Sequence, residues 1–363
     1  MTYPLFEIAS QFEIGGTVDK VEPFGNGHIN DTFKIYTKEN NTPDYILQRK
    51  NHLIFKDIDG MMENIIRVTT HIRKKLEQKG EDTEKKVITH IQTKTGKYYE
   101  KDSNGNFWTV FLFVSGSQSV EKIENPEHAF LAGKGFGQFQ QQLADLPGKP
   151  LNETIVDFHN IEFRYRNFRK ALKINSQNRI LQTQNEIDFV LQHEDEMHTL
   201  INAQRNNKIP SRITHNDTKI NNILFDKNGH ILCVIDLDTV MPGLVHFDFG
   251  DAIRTAACTT EEDETDLDKI TIDLEIYKAF ADGFLDETKS FLTPREIELL
   301  PHSAKFMTFI MGLRFLTDYL EGDVYYKIKH QNHNIERARA QFRLVSEISK
   351  KEKEMQQIIT ELI

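Results

Sequence analysis

Residues 213–236 read I-T-H-N-D-T-K-I-N-N-I-L-F-D-K-N-G-H-I-L-C-V-I-D. The apolar triplet at 223–225 and the apolar run at 231–235 flank Lys227-Asn228-Gly229, a turn sequence. That pattern predicts strand, hairpin turn and strand, with the Asp236 carboxylate at the far tip. Ahead of the first strand, His215, Asp217 and Asn222 stand in a polar loop as H-x-D-x-x-x-x-N. Three fixed positions recur by chance in long chains, so the hairpin and its terminal Asp supply the context that makes the motif specific. The plain alternative is a polar loop with a capping Asp and a buried His.

These residue types at this spacing suit phosphoryl transfer, in which the protein mostly positions groups and neutralises charge. Asp217 would meet an acceptor hydroxyl. Asn222 and Asp236 offer an amide oxygen and a carboxylate, hard ligands for Mg2+ on nucleotide phosphates. Lys219 would neutralise charge on the transferring group. Asp248-Phe249-Gly250 is a literal D-F-G, but it follows the Pro242-Gly243 turn instead of ending the hairpin. The metal role therefore goes to Asp236, while Asp248 and Asp251 are expected to bond backbone N–H groups near the loop. Asp238 reads as a plain loop carboxylate, or else an accessory ligand.

H-N-D-T-K-I-N-N-I-L at 215–224, V-I-D-L-D-T-V-M-P-G at 234–243 and F-D-F-G-D-A-I-R at 247–254 together resemble the aminoglycoside-phosphotransferase/choline-kinase superfamily. G-N-G-H-I-N-D-T-F at 25–33, Y-I-L-Q-R at 45–49 and G-L-R-F-L-T-D-Y-L at 312–320 make the N-acetylhexosamine 1-kinases the branch it is most similar to. The resemblance implies an α+β, protein-kinase-like two-lobed fold: a small antiparallel β-sheet lobe and a mainly helical lobe, with ATP between them. It also implies ATP- and Mg2+-dependent transfer to the C1 hydroxyl of N-acetylglucosamine or N-acetylgalactosamine.

The 363 residues are 38% hydrophobic and 28% charged, enough for a sizeable core. A net charge of −10 argues against nucleic acid or an anionic membrane as the main partner, whereas ATP needs only a local basic cluster. Two cysteines leave no disulfide framework and no thiolate metal site. The first residues lack the basic-then-apolar pattern of a secretion signal, and no stretch approaches 18 apolar residues. A cytoplasmic chain is the expectation.

Toward the N-terminus, 4–16 reads as a short helix, followed by an extended run into Gly25-Asn26-Gly27-His28-Ile29-Asn30 and a strand at 32–36. Strand, Gly turn, strand is the order of a phosphate-covering loop, with Gly25, Gly27 and Asn30 as candidate nucleotide contacts. An ordinary hairpin would look the same. Period 2 puts Tyr45, Leu47 and Arg49 on one strand face. Arg49 is the candidate cation for the α/β-phosphates, and Lys50, on the opposite face, is the alternative. Helical spacing over 58–79 carries Glu63, the candidate partner of Arg49. Strands are expected at 86–91, 98–99 and 107–114. The last runs into Ser115-Gly116-Ser117, where Leu112 and Val114 suit an adenine hinge. The nucleotide-binding lobe is thus placed at 1–114 and the helical lobe, with the catalytic loop and acceptor site, at 115–363.

Beyond that boundary the period becomes 3.6, with helices expected at 126–146, after a loop within 151–169, and at 189–204, 304–320 and 334–363. Gly133-Lys134-Gly135-Phe136-Gly137 lacks Ser or Thr after its Gly-Lys, so it reads as close helix packing. The acidic run at 259–264 reads as a helix start capped by Thr260 with Asp263. By the resemblance, Asp157 and His159 would lie near the sugar. Arg314 and Asp318, at i,i+4 spacing, would grip its hydroxyls as a pair, and Tyr325 would stack on its face. The plain readings are a helix cap, a surface ion pair and packing. An aminoglycoside, choline or methylthioribose acceptor stays open within the class. A nucleotide-binding pseudokinase would be expected to have lost Asp217, Asn222 or Asp236, and all three are present.

Overall fold

A computed structural model describes residues 3–25, 29–175 and 177–363; Gly27, an expected nucleotide contact, lies outside them. The chain forms two compact units. One comprises residues 1–119, 145–156 and 222–242, the other residues 120–144, 157–221 and 243–363. A single cut at 114 therefore does not describe them. Strand Ile223–Phe225 pairs with Gln118–Ser119, and that ladder draws the hairpin beyond the H-x-D-x-x-x-x-N loop into the first unit.

In the first unit, β1 (Val18–Pro23), β2 (Asp31–Thr37), β3 (Tyr45–Lys50), β4 (His90–Ile91), β5 (Glu100–Lys101) and β6 (Phe107–Leu112) make an antiparallel sheet. Its order is β1-β2-β3-β6-β4, with β5 also on β6. Alternation along β3 buries Tyr45 and Leu47 against Ile8, Phe12, Ile35, Trp108 and Val110. The strand expected at 86–91 shrinks to two residues and the one expected at 98–99 falls instead at 100–101, because the two share one edge of β6. β4 takes Val110 and Phe111, and β5 takes Phe107 and Trp108. The first helix, α1, is only Leu5–Ala9, since Phe12 and Glu13 leave it to bridge Thr93 and Gln92. α2 spans Ile58–Gln78, and its N-cap Asp57 accepts the Gly60 N–H at 2.8 Å.

The second unit is helical. α3 (Pro126–Leu143) packs on the Leu274–Thr288 helix through glycine: a Cβ at Gly133 would sit 2.0 Å from the Phe280 carbonyl oxygen, and one at Gly283 would sit 2.1 Å from that of Phe130. Close packing, as expected for those glycines, is what they provide. α4 is Ile161–Ile174, capped by Asn160. In place of one helix at 189–204 there are three, Gln184–Gln192, Glu194–Met197 and Thr199–Arg205. At each break an imidazole bonds the carbonyl four residues back, His193 Nδ1 to Phe189 (2.8 Å) and His198 Nδ1 to Glu194 (2.7 Å). Such side-chain bonds compete with the helix ladder.

No helix starts at Thr260. Asp273 caps the Leu274–Thr288 helix instead, and Asp263 bonds Lys329 (2.7 Å) and His333 (3.1 Å). Helix Leu300–Glu321 buries Phe306, Phe309, Leu313, Leu316 and Leu320 in the core, and helix His333–Leu362 packs beside it. Among the described residues no helix is long and apolar enough to cross a membrane. This is the two-lobed kinase-like fold, a small antiparallel sheet in one unit and helices in the other.

Candidate active site

The H-x-D-x-x-x-x-N loop is fixed from the second unit by two buried carboxylates. Asp248 lies in the first turn of the Val245–Ala256 helix. It accepts the backbone N–H of His215 at 2.9 Å, that of Asn216 at 2.7 Å, and the Gln140 amide at 2.5 Å. Thr218 donates its N–H to Asp251 (3.2 Å) and its hydroxyl to the Asp248 carbonyl (2.6 Å). Burial pushes the Asp248 carboxyl above the usual carboxylate range. In Asp251 burial acts the same way, but Arg254, bonded at 2.9 Å, and then Lys219 outweigh it and hold the group low. The structure thus gives Asp248 and Asp251 the backbone-bonding roles expected of them.

His215 is buried edge-on to Phe136 and Phe139, with ring centroids at 5.9 and 5.7 Å, and its Nδ1 accepts the Asp217 N–H at 3.3 Å. Asn216, at φ 65°, adopts the left-handed turn that Asn tolerates better than most residues. The Asp217 carboxylate remains partly exposed, with Lys219 Nζ 3.0 Å away, and its charge raises the Lys219 ammonium. A carboxylate and an ammonium side by side can accept a hydroxyl proton and face an anionic group.

In the first unit, Asn222 and Asp236 stand at the open end of the hairpin Ile223–Phe225/Ile231–Val234. The Asn222 carbonyl accepts the Ile235 N–H at 2.9 Å, so Asn222 stands beside the residue that precedes Asp236. Asp236 has φ 59° and ψ 55°, a conformation that costs an L-residue about 1–2 kcal/mol and clusters at functional sites. An amide oxygen and a carboxylate, just outside the two strands, are donor types that suit a hard divalent cation such as Mg2+.

Around this hairpin several expectations are corrected. Arg49 does not meet Glu63: it pairs across β2 with its register partner Asp31 (2.7 Å), which also accepts the Tyr3 hydroxyl at 3.0 Å. Glu63 bonds Lys149 (2.9 Å) and Asn152 (3.1 Å). Lys50, on the opposite face, is 2% exposed and pairs with Asp238 at 2.6 Å. Asp238 is therefore no plain loop carboxylate. Asn30 donates to Asp238 (2.8 Å) and accepts the Asn51 N–H (3.0 Å), so it clasps the turn. Gly25 has φ 73°, as a tight turn requires. Leu112 pairs with Tyr45, and Val114 packs with Ile88 and Cys233 in an apolar cluster flanked by Phe111 and Leu224.

The expected acceptor residues divide. Asp157, at φ 57°, bonds Asn160 (2.6 Å), while His159 is buried between Phe158 and Phe247 with Nε2 3.4 Å from the Asn216 carbonyl. Burial, then the Arg314 charge, pulls His159 down to about 3, so the ring is neutral. Arg314 and Asp318 are not a pair. Asp318 is buried and accepts the N–H groups of Val324 (2.9 Å), Tyr325 (2.8 Å) and Tyr326 (3.0 Å), and the Asn334 amide (2.9 Å). Arg314 instead lies over the Phe158, Tyr325 and Tyr326 rings, at 5.2, 5.8 and 5.5 Å. Tyr325 is 57% exposed and its neighbour Tyr326 is half-buried.

Sequence reasoning missed Arg164. It donates to the Phe158 carbonyl at 2.5 Å, its Nε is buried without a partner, and burial with the nearby Arg314 lowers it to about 10. Among the described residues neither Arg164 nor Arg314 forms an ion pair. Its signal was an arginine-rich helix start, F-R-Y-R, which reads equally as a solvated face.

A kinase-like fold with a carboxylate-anchored H-x-D-x-x-x-x-N loop defines a phosphotransferase class. Residues 20–284 match the model of the phosphotransferase enzyme family, and the chain belongs to that family. Among solved structures it is similar to a microcompartment-associated aminopropanol kinase, at TM-score 0.64 and 14% identity, covering 96% of this chain and 97% of that one. It is also similar to an amicoumacin kinase in complex with AMP-PNP, Ca2+ and Ami (TM-score 0.60, 15% identity, 96% and 92% covered). A choline kinase from Cryptosporidium parvum Iowa II gives TM-score 0.56 at 14% identity, with 96% and 95% covered.

Proposed function

We propose that the protein is an ATP- and Mg2+-dependent small-molecule kinase that phosphorylates the anomeric C1 hydroxyl of an N-acetylhexosamine. Asp217 orients the acceptor hydroxyl and takes its proton, a role worth about 10²–10⁴ in rate for a positioned base. An anomeric hydroxyl is more acidic than an alkyl one and asks less of that base. Lys219 faces the transferring phosphoryl group. Asn222 and Asp236 would hold Mg2+, which supplies charge neutralisation on the nucleotide phosphates. The first unit holds the nucleotide and the second the acceptor.

The observation that favours a sugar over a cationic acceptor is the pair of unpaired guanidiniums, Arg164 and Arg314, lying with Phe158, Tyr325 and Tyr326 in the second unit. Aromatic faces and donor-rich arginines suit sugar rings and hydroxyl or carbonyl oxygens; the guanidiniums repel an ammonium. The preference for an N-acetylhexosamine among neutral acceptors rests on the sequence resemblance.

The test is ADP release with Mg-ATP against N-acetylglucosamine, N-acetylgalactosamine, galactose, choline and kanamycin, with phosphorus NMR of the product. A sugar 1-phosphate is expected, together with loss of turnover in Asp217→Asn and retention of its fold. Turnover with the amines alone would overturn the sugar assignment. Full activity of Asp217→Asn would overturn the catalytic role.

A further inference from the structure

In the first unit a lysine and an aspartate are buried together as an ion pair. Lys50 ends β3 at 2% side-chain exposure, and Asp238, at 4%, lies in the turn Leu237–Thr239 directly after the metal-ligand candidate Asp236. Lys50 Nζ donates to Asp238 Oδ1 at 2.6 Å and also to the Gln48 side-chain carbonyl; Asp238 Oδ2 accepts the Asn30 amide at 2.8 Å. An ammonium has three N–H bonds, and these two acceptors take two of them. The pair is therefore held rigidly with one donor left over.

The carboxylate that positions this cation does not come from α2. Glu63 is bonded to Lys149 and Asn152. Asn64, fully buried on the same helix, donates to the Val240 and Asn152 carbonyls. A buried ion pair is a poor means of stabilising a fold, since an apolar pair of similar volume commonly does as well or better. Its retention calls for another reason.

We infer that Asp238 is a positioning residue that aims Lys50 at the phosphates of the bound nucleotide, so that the phosphate-facing cation and the metal-binding carboxylate Asp236 are set by one turn. The inference rests on the kinase reading and names the residue behind its nucleotide cation: Lys50, not Arg49. Asp236 and Asp238 flank Leu237, whose side chain is buried, so one short anchored turn carries both carboxylates. The other cluster of charge-bearing ligand groups among the described residues, Glu196, His302 and Glu352, differs in kind, because Lys305 already bridges its two carboxylates.

The experiment is calorimetric binding of ADP and of adenosine to wild type, Asp238→Asn, Asp238→Glu, Lys50→Met and the double variant Lys50→Met/Asp238→Asn, with steady-state kinetics in ATP. The double variant removes both charges and leaves no lone buried ion, which guards against a folding failure. Asp238→Asn should weaken ADP at least 10-fold while adenosine binds as before, should raise KM for ATP more than it lowers kcat, and should be partly rescued in Asp238→Glu. The double variant should bind ADP no worse than Lys50→Met alone, as expected of residues acting as one unit. Equal losses for ADP and adenosine, or wild-type ADP affinity in the double variant, would overturn the inference and leave the kinase reading standing. Absence of adenine-nucleotide binding by the wild type would overturn both.

Discussion

Asp248 and Asp318 are alike in burial, at 1% and 3% exposure, and alike in role, since each turns a carboxylate toward a run of backbone N–H groups. They differ in reach. Asp248 fixes His215 and Asn216, far earlier in the chain, and Gln140 from another helix completes its bonds. Asp318 fixes the segment just after its own helix, Val324 to Tyr326, with Asn334 beside it. The first thereby sets the backbone of Asp217, and the second sets the two tyrosines over which Arg314 lies. One anchor should govern the chemical step, the other the hold on the acceptor.

The comparison can be broken most easily at Asp248. Asp248→Asn replaces one acceptor oxygen by a donor facing backbone N–H groups, and each orphaned buried N–H costs about 1–3 kcal/mol. A fall in kcat of about 100-fold is expected, with a lower melting temperature and little change in KM for the acceptor. A larger change in KM than in kcat would refute the division of labour. Asp318→Asn should do the reverse: KM for the acceptor rises about 10-fold through the loosened 324–326 segment while kcat stays within about 3-fold, since it leaves the transition-state contacts of Asp217 in place. Steady-state kinetics with the preferred acceptor decide it, and an unchanged KM would remove Tyr325 and Arg314 from the acceptor site.

The smallest effect is expected where a carboxylate bonds side chains alone. The Lys329 and His333 bonds hold Asp263 down at about 2, below its ordinary value. A lowered carboxyl contributes stability above its unfolded value near pH 4 and loses it as the pH falls toward 2. Asp263→Asn should therefore melt slightly below wild type at pH 7, and the gap should close between pH 4 and 2. A gap that persists at pH 2 would show that the bonds act without the charge.

What the sequence made legible follows from how far each signal acts. The hairpin after the catalytic loop, helix α2 and the backbone-bonding roles of Asp248 and Asp251 were readable, because strand alternation, helical period and a fused motif are local. The expected pairing of Arg49 with Glu63 fails because strand register, unseen in sequence, sets Asp31 opposite Arg49, while Lys50, the alternative on the opposite face, meets Asp238. The i,i+4 spacing of Arg314 and Asp318 correctly put them a turn apart. It could not reveal that the chain after Gly322, at φ 104°, folds back so that its N–H groups claim the carboxylate. Arg164 was lost among other arginines of its helix, since unpaired burial has no sequence mark.

Gly133 and Gly283 bring two helices together so closely that a single methyl group on either would collide with a main-chain oxygen of the other. In a mutational scan both positions would therefore score as intolerant as Asp217, and in a family comparison both would stand as invariant. Such constancy there would report the thickness of a backbone contact and would need no catalytic role to explain it.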